Sequence, residues 1–314
     1  MADITLTAVT RTQGSTEAVK DGTVRPERYA LEFEEAPVLV RAFRRMVRSL
    51  DFDVTEMALT TYLCAKSFGK PFTALPVFLV RGFHHAAIVT AADAPRLEPK
   101  ELEGRRVGVN RGYTVTTGVW ARAILQEEHG VDLSRVTWVP SGDEHVAEYR
   151  PPANVVPLGD GDLAALVASG DPVAAVGVTA DGPGLAPFIP DAEEAGFRAL
   201  QHRGLYPINH VLVVKDELLD AHADLAADLF ATYAEAKSRY VRRLRDGQIA
   251  KPTPTDLMYK RVLDITGDDP LPYGIGPNRA MLDELMRHAV TQRILPEPIP
   301  LDALFHRSAR GLVG

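Results

Sequence analysis

The 314-residue chain alternates strand-like and helix-like segments, and that alternation sharply limits the folds open to it. Residues 4–9 (ITLTAV) and 29–34 (YALEFE) alternate apolar and polar side chains, as half-buried strands do. Residues 36–50 place Val38, Val40, Phe43, Met46, Val47 and Leu50 near helical spacing, with Arg41, Arg44, Arg45 and Arg48 as the solvated face. Residues 51–56 read as a short strand feeding a helix over 57–67. Residues 75–89, LPVFLVRGFHHAAIV, read as an apolar strand interrupted by Arg81, Gly82, Phe83, His84 and His85. A polar connection over 91–103, with Pro95 and Pro99, precedes a second block. That block holds strands at 106–109, 136–139 and 172–178 and helices at 116–129 and 161–169. A strand within 203–214 then leads to helices at 221–245 and 279–291 and a short segment at 301–305. The pattern predicts a two-lobed α/β fold. Lobe one is expected from 1–90 plus 202–314 and an inserted lobe two from 91–201, with a ligand cleft between them.

Hydrophobic residues make up 46% and charged residues 25%, so a well-filled core is expected. A net charge of −7 argues against nucleic acid as a partner, though a small anion can still bind where the local field is positive. No apolar run approaches the ~20 residues of a membrane span, and the first residues lack the pattern of a secretory signal. A cytoplasmic protein with no membrane partner is the expectation. A homo-oligomer is compatible with the sequence. Cys64 is the sole cysteine; it lies in an apolar helical stretch and is expected to pack as a small hydrophobe.

Loops after strands are where ligands gather in such folds, which directs attention to residues 10–14, 56–61 (with Thr60), 81–85, 110–117 and 206–210. In NRGYTVTT (110–117), the hydroxyls of Thr114, Thr116 and Thr117 can cap the following helix. The free N–H groups of that helix can bind a carboxylate, with Arg111 and Tyr113 beside them. Capping alone is an equally good account. Arg81 suits a carboxylate, and His84 and His85 can exchange protons near neutral pH. In a regular strand the two histidines would point to opposite faces, so one would face ligand and the other hold structure. His210, in PINHVLVV, is either a buried structural histidine or a site residue. Asp51, Asp53 and Glu56 are read as solvated or capping groups, with Glu56 opening a helix. No metal-binding or serine-hydrolase motif is present.

Four stretches together resemble the 4,5-dihydroxyphthalate decarboxylases: FDVTEMALTTYL (52–63), LPVFLVRGFHHAAI (75–88), VNRGYTVTTGVWARAILQEEHGV (109–131) and DPLPYGIGPNRAMLDEL (269–285). PINH (207–210) resembles the family's Pro-x-x-His. The resemblance implies a type II periplasmic-binding-protein-like fold and non-oxidative loss of one carboxylate from a hydroxylated aromatic acid. It implies His84 or His85 as proton donor and Arg11, Arg81 and the turn at 114–117 for the carboxylates. His210 would serve the ring hydroxyl. No organic cofactor is expected, and a divalent metal is left open. Two loops depart from the family pattern. TRTQGSTEAVKDG (10–22) stands where the family has an aromatic and acidic loop, and His84-His85 where it has Arg-His. The substrate therefore need not be 4,5-dihydroxyphthalate itself. Two other readings are a solute-binding protein for a small carboxylate, and a cytoplasmic enzyme of the same fold of the menaquinone-pathway type.

Overall fold

The computed structural model describes residues 4–314. Its strands are β1 (Ile4–Val9), β2 (Tyr29–Phe33), β3 (Val54–Ala58), β4 (Phe72–Arg81), β5 (Ile88–Ala91), β6 (Arg106–Val109), β7 (Thr137–Pro140), β8 (Ala174–Val176), β9 (Leu185–Pro187) and β10 (Ile208–Lys215). The chain divides into two units. The first comprises Met1–Gly82, Ile208–Asp283 and Ile299–Gly314, and the second Phe83–Pro207 and Glu284–Pro298. The first crossing thus falls between Gly82 and Phe83, earlier than the expected residue 91. Residues 284–298 belong with the second unit, not with the first as expected. Gln292 shows why: its side chain accepts from Arg122 Nε at 2.7 Å and donates to the Val119 carbonyl at 3.0 Å.

The first unit is built on one five-stranded sheet in the order β2-β1-β3-β10-β4. β1 runs parallel to β2 and β3, while β10 is antiparallel to β3 and β4. β3 lies inside the sheet, and every one of its residues is buried. β4 is an edge strand, which is where a proline fits without losing a ladder bond. Pro76 occupies that edge, and its carbonyl accepts the Gly274 N–H at 2.8 Å. Helix Leu39–Ser49 buries Ala42, Phe43, Met46 and Val47, the periodic face read from the sequence. Because β10 runs opposite to β3, its first residues lie beside the carboxyl end of β3. His210 pairs with Ala58 and Leu212 with Glu56.

The second unit carries a sheet in the order β7-β6-β8-β5-β9, with β6 parallel to β7 and β8, and β5 antiparallel to β8 and β9. Helix Thr116–Glu127 follows β6 across the turn at 110–115. Val119, Trp120, Ile124 and Leu125 are buried on it.

The stretch at 75–89 is not one strand. β4 ends at Arg81, His85–Ala87 forms a 3-10 turn, and β5 begins at Ile88. The expected placement of His84 and His85 on opposite strand faces therefore does not apply. Among the helices that escaped the sequence reading are Ala192–Arg203 and Pro254–Thr266. The second has strong local reasons to form. Thr253 and Asp256 make a reciprocal capping box, and Pro254 fills the first turn, where its missing N–H costs nothing.

Gly274 ties the family-like segment at 269–285 to the edge strand. Its φ is +104°, and a Cβ there would lie 2.5 Å from the Leu312 carbonyl oxygen. Gly274→Ala is expected to lower stability by on the order of 1–3 kcal/mol in urea unfolding, through backbone strain and that clash. An unchanged midpoint would show that the loop relaxes freely.

Candidate functional site

In the first unit the chemistry gathers on Glu56, whose side chain is 0% exposed. Oε1 accepts from Arg11 Nε at 2.8 Å and from His210 Nδ1 at 2.5 Å, and Oε2 accepts the Arg11 amide at 2.8 Å. The register accounts for the meeting. Glu56 and Ala58 share one face of β3, and His210 opposes Ala58, so Glu56 and His210 are diagonal neighbours that long side chains can bridge. Arg11 arrives from β1, where Val9 pairs with Thr55. A carboxylate on a fully buried strand survives ionised only with partners of this kind. Burial pushes its pKa up, but the hydrogen bond and charge of His210, with the charge and amide of Arg11, outweigh burial and hold it below the usual carboxylate value.

At 2.5 Å the His210 Nδ1 carries a proton and donates it to Glu56. Arg11 Nη2, 3.2 Å from the same nitrogen, is then a neighbouring cation and not a donor to it. The contact with Glu56 thereby fixes the orientation of the imidazole ring. Phe43 meets the imidazole edge-on with ring centroids 5.2 Å apart. The His210 side chain is 15% exposed and that of Arg11 40%, so the buried charge reaches solvent through these two groups. Glu56 is the functional residue that the sequence reading missed. Its signal was a lone carboxylate inside VTEMALTTYL, a run otherwise free of charge. Thr60, expected near ligand, is fully buried in helix Leu59–Ser67.

In the second unit His84 and His85 are both buried. His85 Nε2 lies 3.0 Å from Glu128, which also takes Arg203 Nη1 at 3.1 Å, and Arg203 reaches Glu284 at 3.4 Å. His85 thus joins an internal polar network that ties together the second unit's separate segments, a structural role. The turn at 110–117 also differs from expectation. Val115 is the helix N-cap, and no side chain caps there. The Thr114 hydroxyl bonds Glu144 at 2.6 Å, Thr116 is buried, and Thr117 is partly exposed. Tyr113 is buried, while Arg111 is exposed with its amide on Ser141 Oγ at 2.9 Å. Arg11 and His210 are thus brought together around Glu56. Arg111, Tyr113 and Thr114 share one turn of the second unit, and His84 and His85 lie in another of its segments.

No family model matches the chain. A 4,5-dihydroxyphthalate decarboxylase from Comamonas testosteroni is 27% identical over 281 residues, covering 84% of this chain and 85% of the relative. A second protein of that name, from Pseudomonas putida, is 34% identical over 144 residues, 43% of this chain and 55% of the relative. The chain is thus similar to the 4,5-dihydroxyphthalate decarboxylases over most of its length. Among solved structures, a Candida albicans protein described as having the generic periplasmic binding protein fold superposes with a TM-score of 0.57 at 11% identity, covering 99% of this chain and 98% of that one. A putative periplasmic sulfonate-binding protein from Methylobacillus flagellatus gives 0.55 at 11% identity, covering 98% and 93%. These likenesses establish the periplasmic-binding-protein fold and nothing of the ligand.

The most distinctive family-like stretch has a definite structural task in this decarboxylase relative. Asp269 accepts the Leu271 N–H at 2.8 Å, and Asn278 donates to the carbonyls of Pro272 and Gly274, both at 2.8 Å. The Asn278 carbonyl oxygen then accepts from Arg81 Nη1 at 2.8 Å. Arg81 is 5% exposed at the end of β4, so the segment fixes a buried guanidinium in place. Among the described residues, no group of three or more His, Cys, Asp or Glu side chains is arranged to hold a metal, and no helix is long and apolar enough to cross a membrane.

The depressed pKa of Glu56 makes stability depend on pH in a definite direction. The contribution is fully present above the ordinary value of 4.5 and is lost as pH falls through the lower folded value. Glu56→Gln is expected to cost about 3–5 kcal/mol at neutral pH and to lose less stability than the parent on acidification. Parallel acid-unfolding curves for the two proteins would refute this account.

Proposed function

We propose that the protein removes one carboxylate, without oxidation, from a hydroxylated aromatic dicarboxylate such as 4,5-dihydroxyphthalate, giving a dihydroxybenzoate and carbon dioxide. Similarity to two proteins named 4,5-dihydroxyphthalate decarboxylase supports the reaction class. The single structural observation behind the residue assignment is the pairing of His210 with a fully buried, ionised Glu56.

The reaction replaces a carboxylate by a proton. An acid protonates the ring carbon that bears the leaving carboxylate, using a ring electron pair to form the new C–H bond. A hydroxyl para to that carbon gives up its proton and becomes keto-like, which offsets the charge. The bond to the carboxylate then breaks, its electron pair returns to the ring, and carbon dioxide leaves. The keto oxygen takes back a proton. His210 is the proton donor in this scheme, oriented through Nδ1 by Glu56 and acting through Nε2. This shifts the acid from His84 or His85, because both are buried while the His210 side chain is 15% exposed. Arg11, held by Glu56 and partly exposed, offers a cation to a substrate oxygen.

The solute-binding reading draws on the fold neighbours, one of which is a sulfonate-binding protein by name. Incubation with 4,5-dihydroxyphthalate and related hydroxylated phthalates, following carbon dioxide release, separates the two. Tight binding of an intact acid with no turnover would favour the binding protein. His210→Asn is expected to lower kcat by roughly 10²–10⁴-fold while the fold is kept. Full turnover by this variant would remove His210 from the scheme.

A further inference from the structure

The turn between β6 and helix Thr116–Glu127 already holds a carboxylate, and it is the protein's own. Glu144 receives the Tyr113 N–H at 2.5 Å, the Thr114 N–H at 3.1 Å and the Thr114 hydroxyl at 2.6 Å. Gly112 leaves room for it, since a Cβ at that position would lie 2.6 Å from Glu144 Oε2. The turn is therefore a working anion receptor made mainly of backbone.

A separate observation shows that the turn favours negative charge. Arg122 is 0% exposed, and among the described residues no carboxylate lies within ion-pair distance of it. Its Nε bonds Gln292, its Nη2 bonds the Tyr113 carbonyl at 2.7 Å, and its guanidinium stacks on the Tyr113 ring at 3.9 Å. Nη1 has no partner at all. That nitrogen lies against the first helical turn, 3.1 Å from where a Cβ on Gly118 would stand. A buried guanidinium with an unbonded N–H group is costly; the charge of Glu144 steadies it from the adjoining turn, so that turn favours a carboxylate. Arg111 adds an exposed guanidinium to the same turn, with φ +68°.

We propose that Glu144 is a displaceable internal occupant of a carboxylate subsite, and that a carboxylate of the ligand replaces it on the Tyr113 and Thr114 amides. The choice of an aromatic dicarboxylate as ligand rests on the decarboxylase reading. The exchange swaps one carboxylate for another, so the turn's hydrogen bonds are kept while Arg111 gains an oxygen to bind. Glu144 then acts as a filter. A ligand that cannot remake those bonds does not displace it, and the apparent affinity of one that can is reduced by the fraction of protein in which Glu144 has withdrawn.

Calorimetric titration of the full chain with phthalate, in the parent, Glu144→Gln and Glu144→Ala, tests this. Both variants are expected to bind phthalate about tenfold more tightly, because the internal competitor is gone. Affinity unchanged or weaker in both, or no phthalate binding in any of the three, would overturn the proposal. So would failure of both variants to fold, which would make Glu144 a permanent structural anion. Turnover of 4,5-dihydroxyphthalate by the parent is read separately. Turnover with unchanged phthalate affinity in the variants refutes the subsite and leaves the decarboxylase reading standing. Tighter phthalate binding without turnover does the reverse.

Discussion

A carboxylate placed where water cannot reach it is the constraint around which the first unit is arranged. Glu56 sits on an interior strand whose residues are all buried, so its charge must be answered by the protein itself. Three donors answer it, one from the backbone after β1, one from the side chain there, and one from the start of β10. Each comes from a strand neighbouring β3 in the sheet, so the strand order and the site are two aspects of one requirement. Exchanging the register of β10 by one residue would turn His210 to the opposite face and leave Glu56 short of a partner.

Much of this was legible in the sequence, and the failures have identifiable causes. The boundaries of β1 and β6 follow from simple periodicity, because one local pattern decided each of them. Residues 75–89 misled because an apolar edge strand and an apolar second-unit strand are joined by only a short turn. Hydrophobicity cannot show that the chain leaves one sheet for another there. Glu56 was misread for a related reason. Its partners Arg11 and His210 are 45 and 154 residues away, so the uncharged run around it hints at burial but names no partner. The turn at 110–117 drew attention as a place that could bind a carboxylate or simply cap the helix. What the sequence could not show was that Glu144 would reach it from 30 residues on.

The second unit uses charge differently. His85, Glu128, Arg203 and Glu284 link segments distant in sequence, so the network helps define which pieces of chain belong to the unit. Networks of this sort specify a unique arrangement more than they add stability. His85 Nδ1 and Arg122 Nη1 are both buried without a hydrogen-bond partner, so neither cluster is closed on itself.

The position of β10 has a consequence for how the molecule comes into being. It lies between β3 and β4, yet it follows them in the chain by more than a hundred residues, the span of the second unit. Until it inserts, β3 and β4 share no ladder, and the first sheet stays split at its middle. A pairing of such long sequence separation forms late, since the intervening loop must close first. His210 travels on that last-arriving strand. The Glu56–His210 pair is therefore assembled by the same event that closes the sheet, and a partly folded chain would lack it.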